Sequence, residues 1–137
     1  MAIIWLITAI LGIGASSTSV YFLNKQGSPG GATSYVFAGV NLLLSVVLLY
    51  ASVVEGMPLA YALIACGIVH VVTGIYYLIV PPTLLKSSDG KSTPSALGYA
   101  TSGLGILIGL VLAYWGYQRY TAATLMPVML GGRRRRR

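Results

Sequence analysis

The distribution of charge along the chain constrains its fold more than any other feature. All eleven charged residues lie outside four apolar blocks, which are residues 2–23, 32–54, 59–80 and 96–117. Each block has about twenty residues, enough for a helix to cross roughly 30 Å of hydrocarbon, and none alternates apolar with polar positions. The sequence therefore predicts an all-α protein of four membrane-type helices that are apolar on every side.

Composition excludes an ordinary water-soluble domain. Only 8% of the 137 residues are charged, whereas soluble domains average about 25%. We expect the helices to be surrounded by lipid or by other copies of the chain. A single cysteine excludes an internal disulfide, and the first block lacks the basic start of a secretory signal, so we interpret it as a retained helix.

Turn signals divide the blocks into two predicted helical hairpins. Residues 55–58 form a short link that makes blocks two and three antiparallel partners, and Pro81-Pro82 ends block three. Residues 1–130 are expected to form one hydrophobic four-helix domain, followed by a tail at 131–137 of two glycines and five arginines. Residues 120–130 are too short to span a membrane, and we expect them to lie along an interface or to connect the last helix to the tail.

Small residues recur along block four at spacings of three and four, with one break at Leu112. They lie on one helix face, which favours close packing against another backbone, and they are Gly98, Ser102, Gly105, Gly109 and Gly116. Blocks one and three are also rich in small residues. We interpret these faces as a sign of extensive contact between copies of the chain.

The basic tail comprises Arg133, Arg134, Arg135, Arg136 and Arg137 and contributes most of the net charge of +7. Such a cluster favours nucleic acid, through phosphate contacts and counterion release, or anionic lipid near a membrane. A segment added for expression is the third interpretation. With four spans, the side of the chain that carries both termini holds six cations against three lysines opposite, which predicts a cytoplasmic C-terminus in a membrane.

His70 is the one titratable group near the middle of a block. A histidine there is a candidate proton relay or axial ligand to haem or a pigment, although a neutral side chain bonded to a neighbouring helix explains it more simply. Cys66 lies one turn earlier, but no further ligand accompanies the pair, so we predict neither a metal site nor a cofactor. Asn41, within block two, is interpreted as a hydrogen-bonding contact between helices.

The four blocks together with the basic end resemble in general character the major coat proteins of archaeal spindle-shaped viruses. Those proteins are short, hydrophobic and helical, and they pack against one another around DNA. The resemblance includes no motif that can be matched residue by residue, so it implies no particular site. It implies a virion shell whose C-terminal tail faces the genome.

Two loops are similar to those of a second family, the small four-helix transmembrane protein 14 (FAX-type) proteins. Residues 25–28 resemble that family's Lys-x-Gly-Ser loop, and residues 90–94 resemble its Gly-Lys-x-x-Pro loop. The arginine tail and the long loop after Pro82 depart from the pattern. This resemblance implies an integral membrane protein that moves fatty acids or porphyrins.

No catalytic constellation is present in the sequence, so we expect a structural protein and not an enzyme. The main prediction is a virion-type shell protein that assembles with its own copies and contacts nucleic acid through the arginines. The alternative is an integral membrane protein, either an accessory subunit of a larger complex or a small carrier of lipids or other hydrophobic solutes. We identify no small-molecule substrate from the sequence.

Overall fold

The structure, a computed structural model, describes residues 2–26, 32–80 and 96–133, and all of these except residues 55 and 80 are helical. The helices are α1 (Ala2–Gln26), α2 (Ala32–Val54), α3 (Gly56–Ile79) and α4 (Ala96–Arg133). Each contains a stretch long and apolar enough to cross a membrane. The prediction of an all-α protein with four apolar helices is confirmed.

The end of α1, the start of α3 and the end of α4 differ from the sequence prediction, and α1 runs three residues further, to Gln26. Helix α3 begins at Gly56, before Pro58 and not after it, because a proline in the first turn lacks only an N–H that has no helical partner there. Helix α4 continues past Tyr117 to Arg133, a length of 38 residues. Gln118 and Arg119 end the apolar block, but neither residue interrupts helical hydrogen bonding. A boundary in polarity was therefore mistaken for a helix end.

The helices pack in chain order, so that α1 contacts α2, α2 contacts α3, and α3 contacts α4. Ring contacts show that α3 runs antiparallel to both α2 and α4. Phe37 of α2 meets Tyr76 of α3 at a centroid distance of 4.8 Å, and Tyr61 of α3 meets Tyr120 of α4 at 5.9 Å. In the described part of the chain, no Cα atoms of α1 and α4 approach within 8 Å. The bundle is therefore closed on three sides only.

The closest approach is between α3 and α4, whose backbones touch. A Cβ atom added to Gly67 would lie 2.6 Å from the carbonyl oxygen of Gly109, and one added to Gly109 would lie 2.7 Å from the carbonyl oxygen of Gly67. The same contact recurs seven residues away in each direction, where Gly74 meets Ser102 and Gly116 meets Ala60. A seven-residue repeat of small residues on both helices thus sets their register.

An apolar cluster fills the end of the bundle nearest the α2–α3 turn. Trp5 and Trp115 bridge α1 and α4 there, in an edge-to-face contact with centroids 5.8 Å apart. Around them, buried side chains from all four helices form the cluster, which includes Trp5, Ala9, Leu48, Ala51, Leu59, Ala62, Leu63, Cys66 and Leu112. Towards the opposite end, the buried residues are small or polar, and include Ser16, Ser34, Ala38, Gly74 and Ser102.

The turn between α2 and α3 needs two residues with positive φ. Glu55 has φ 60° and ψ −161°, and Gly56 has φ 65°. Glycine adopts such a conformation freely, but a residue with a Cβ is strained there. The backbone N–H of Glu55 donates to the carbonyl of Ala51 at 2.8 Å, which completes the last turn of α2. Glu55 therefore holds a strained backbone conformation in the α2–α3 turn.

We predict opposite effects for alanine at two glycines. Gly67→Ala should lower the free energy of unfolding by about 2 kcal/mol or more, because the new Cβ would lie 2.5 Å from the backbone nitrogen of Ala113. Gly103→Ala is the matched control, since nothing lies within 4 Å of its Cβ position, and it should raise stability by about 1 kcal/mol. Denaturant titration in detergent measures both. Equal effects would contradict the α3–α4 contact.

The strained turn leads to a second prediction. Glu55→Gly should raise the free energy of unfolding by about 1 kcal/mol, because it removes a side chain from a conformation that only glycine adopts without cost. Gly56→Ala should lower it by a similar amount, about 1 kcal/mol, because alanine at positive φ is strained. Thermal unfolding of the two variants beside the wild type tests the geometry, and a destabilised Glu55→Gly variant would refute it.

Candidate functional site

The basic tail begins at the end of α4. Arg133 is the last residue of that helix, whereas Arg134, Arg135, Arg136 and Arg137 lie outside the described residues. The α3–α4 register places the first residue of α3 level with residues 120–124 of α4. The last nine residues of α4 therefore continue about 14 Å past the α2–α3 turn. Gly131 and Gly132, assigned from the sequence to the tail that follows the four-helix domain, lie within this helix.

Two charged residues whose side chains the structure describes lie at the same end of the bundle. Glu55 lies in the α2–α3 turn, and Arg119 lies one turn of α4 after Trp115, near the same end. The apolar stretches at residues 2–23, 32–54, 59–80 and 96–117 contain no charged side chain. The interior of the bundle therefore has no charge to balance a buried ion, which is expensive to desolvate without a partner.

The small residues predicted to form one packing face of α4 have different surroundings. Ser102, Gly109 and Gly116 are buried and touch α3. Gly105 is half-buried, and no heavy atom lies within 4 Å of the position of its Cβ, because contact with α3 recurs every seven residues and Gly105 lies to one side of it. Gly98 lies in the first turn of α4, and its surroundings fall outside the described residues. The break at Leu112 is a buried position in the apolar cluster.

His70 lies half-buried on α3, one turn after Cys66. Its Nδ1 is 2.8 Å from the carbonyl oxygen of Cys66. A carbonyl oxygen can only accept, so Nδ1 carries a proton, and whenever the ring is neutral its Nε2 atom has a free lone pair. The thiol of Cys66 is itself buried and donates to the carbonyl oxygen of Leu44 at 3.6 Å.

Asn41 connects α2 to α3, and its partner was not identified from the sequence. Its Nδ2 donates to the carbonyl of Phe37 at 2.9 Å and to Oγ1 of Thr73 at 3.3 Å. Its Oδ1 is buried and has no donor within the described residues. Thr73 follows His70 by three residues on α3, a spacing that places both on one helix face. That spacing was the only signal in the sequence for a polar face at Thr73, and it does not show which helix packs against that face.

No group of three or more His, Cys, Asp or Glu residues that could hold a metal ion occurs in the described ranges. The arrangement at Cys66, His70 and Asn41 therefore supplies hydrogen-bond acceptors and a single imidazole. Comparison with protein-family models, with curated proteins and with solved structures finds no match to this chain.

The hydrogen bond between Asn41 and Thr73 leads to a prediction. Thr73→Val should lower the free energy of unfolding by about 1 kcal/mol, because the bond joins α2 to α3 in an apolar interior. Thr8→Val is the matched control, since the Thr8 hydroxyl bonds only to its own helix, at the carbonyl of Ile4, and this variant should change stability little. Chemical unfolding of both in one detergent makes the comparison. Equal losses would contradict a cross-helix role for Thr73.

Proposed function

We propose that this chain is a non-enzymatic structural protein that assembles with copies of itself through its apolar helix faces and contacts nucleic acid through residues 133–137. The observation that carries the proposal is the outward direction of its large apolar side chains. Only 17–28% of each membrane-length stretch is buried inside the chain. Large exposed apolar residues occur on all four helices, including Leu11, Val53, Ile79 and Leu107. A surface of this kind must be covered.

Exposed hydroxyl groups support apolar surroundings. Thr8, Thr18 and Ser19 on α1 each donate to the carbonyl four residues earlier in the same helix, at 2.8–2.9 Å. Thr121 and Thr124 on α4 do the same, at 3.1 and 2.9 Å. A hydroxyl satisfied by its own helix needs no water, so it costs little beside lipid or another apolar helix.

The long α4 supports the assignment of the tail. Because its last turns continue past the α2–α3 turn, they separate Arg133 from the apolar bundle. Five neighbouring guanidinium groups bind phosphates well and release counterions in doing so. A shell that packs through its sides and presents a basic end in this way suits a virion, with the tail directed at the genome.

The second candidate is an integral membrane protein, either an accessory subunit or a carrier. The lengths of the apolar stretches favour it, since Ile3–Tyr21, Ala32–Val54, Gly56–Ile79 and Tyr99–Leu125 each match the thickness of a bilayer. In that case lipid covers the outer surface, and the arginines contact anionic headgroups on the cytoplasmic side.

Removal of the tail tests the nucleic-acid proposal. Deletion of residues 131–137 should abolish salt-sensitive DNA binding, because five phosphate contacts correspond to a slope of about −4.5 in log K against log salt. Replacement of the five arginines by lysine is the matched control and should retain most of that slope. Fluorescence anisotropy with duplex DNA measures it across salt concentrations.

The same truncated protein tests assembly. It should form particles of unchanged size by light scattering, because the apolar faces remain intact. Undiminished DNA retention by the truncated chain at low salt would refute the role of the arginines. A truncated or intact chain that stays monomeric after detergent removal into lipid vesicles would support the membrane alternative instead.

A further inference from the structure

The contact between α3 and α4 repeats every seven residues, and one repeat leaves a gap. Moving seven residues forward on α3 and seven backward on α4 carries the Gly67–Gly109 contact onto Gly74 and Ser102. The same step carries Leu63 and Leu112, both in the apolar cluster, onto His70 and Gly105. A shift of seven residues returns a helix to nearly the same face. His70 and Gly105 thus occupy the positions that two leucines fill in the next repeat towards the α2–α3 turn.

The substitution of glycine for leucine empties the α4 side of this position. Leu112 is 4% exposed, whereas Gly105 is half-buried with no heavy atom within 4 Å of its Cβ position. His70 is half-buried as well, although Leu63 at the equivalent position is fully buried. We call the space beside Gly105 and His70 the Gly105 notch.

Two hydrogen-bond acceptors lie near the notch without a donor. The Nε2 atom of His70 has a free lone pair because Nδ1 donates to Cys66. The Oδ1 atom of Asn41 is buried without a donor, and the amide group that carries it bonds to Thr73, on the same face of α3 as His70. A buried acceptor without a partner costs about 1–3 kcal/mol. An occupant that donates hydrogen bonds would recover this free energy.

The notch faces the open side of the bundle. Helices α1 and α4 have no Cα atoms within 8 Å of each other in the described chain, and Trp5 and Trp115 bridge them only at the end near the α2–α3 turn. Leu104 and Ile108, which flank Gly105 on α4, are exposed and apolar. Access is therefore lateral, across an apolar surface.

We propose that the Gly105 notch binds an apolar molecule that carries a neutral hydroxyl group, such as a long-chain alcohol, with the hydroxyl donating to His70 Nε2 beside the buried Asn41 Oδ1. The donor must be neutral, because residues 2–23, 32–54, 59–80 and 96–117, which include the notch, contain no charged side chain that could balance a buried ion. The body of the molecule must be apolar because it lies between α1 and α4. The proposal is independent of the arginine tail.

The single histidine of the chain makes a direct measurement possible. Protein labelled with ¹⁵N-histidine is placed at pH 8 in micelles of an amine-oxide detergent, whose headgroup offers no hydrogen-bond donor at this pH. The sample is then titrated with 1-dodecanol. The ¹⁵N spectrum should show protonated Nδ1, and the Nε2 resonance should shift on addition of the alcohol. The methyl ether of the same alcohol, which has no donor, should bind about tenfold more weakly, the value of one hydrogen bond.

Two leucine variants separate the notch from general partitioning into the micelle. Gly105→Leu fills the space as Leu112 does seven residues later in α4, so this variant should fold and should lose the alcohol-dependent shift. Gly103→Leu also enters open space but on another face of α4, and it should bind as the wild type does. Asn41→Leu removes one acceptor and should weaken binding even if Gly105→Leu fails to fold.

Three results would overturn the proposal. They are an Nε2 resonance that does not respond to the alcohol, an equal response to the alcohol and its ether, and an unchanged affinity in both Gly105→Leu and Asn41→Leu. None of these results depends on DNA binding or on assembly, so the fate of this proposal and that of the structural function can be told apart.

Discussion

The direct backbone contact between α3 and α4 is the interaction on which the rest of the structure depends. Gly67 and Gly109 each place a Cα hydrogen where a Cβ would lie 2.6–2.7 Å from the other's carbonyl oxygen. Reciprocal Cα–H···O contacts of this kind recur at helix interfaces and add to the dispersion gained when two backbones touch. The contact needs no hydrophobic driving force, so it stabilises the pair in lipid or in an apolar assembly as well as in detergent.

Packing through small residues determines what the outer surface must be. Glycine, alanine and serine form the line of closest approach between α3 and α4, with Ile64, Val71 and Ile106 beside it, and most other large side chains of both helices lie elsewhere. Some of them, with Trp5 and Leu48, form the apolar cluster at the turn end, and most of the rest lie on the outside. The chain therefore lacks the covered core and polar surface of a soluble domain. The same residue choice that joins α3 to α4 makes an apolar environment or partner necessary.

The absence of charge was sufficient to predict the four helices, and spacing was sufficient to place Ser102, Gly109 and Gly116 on one face of α4. Three further features were out of reach. The end of α4 was missed because polarity changes at Arg119 while helical hydrogen bonding does not. The different environment of Gly105 depends on the register between α3 and α4, which no single-helix pattern contains. The pairing of Asn41 with Thr73 likewise requires knowledge of which helices are neighbours.

The seven-residue repeat explains why a rigid contact and an empty position occur side by side. In a packed interface, the residue opposite a leucine-sized gap is normally apolar, because dispersion is lost wherever atoms are missing. Here the residue is His70, whose free lone pair on Nε2 gains no hydrogen bond from an apolar neighbour. Glycine at position 105 also makes α4 less stable than alanine would, and it does not allow the backbones to approach more closely there. Two choices that each cost stability therefore coincide at one position of an otherwise regular repeat, and such a coincidence favours a role in binding over a role in packing.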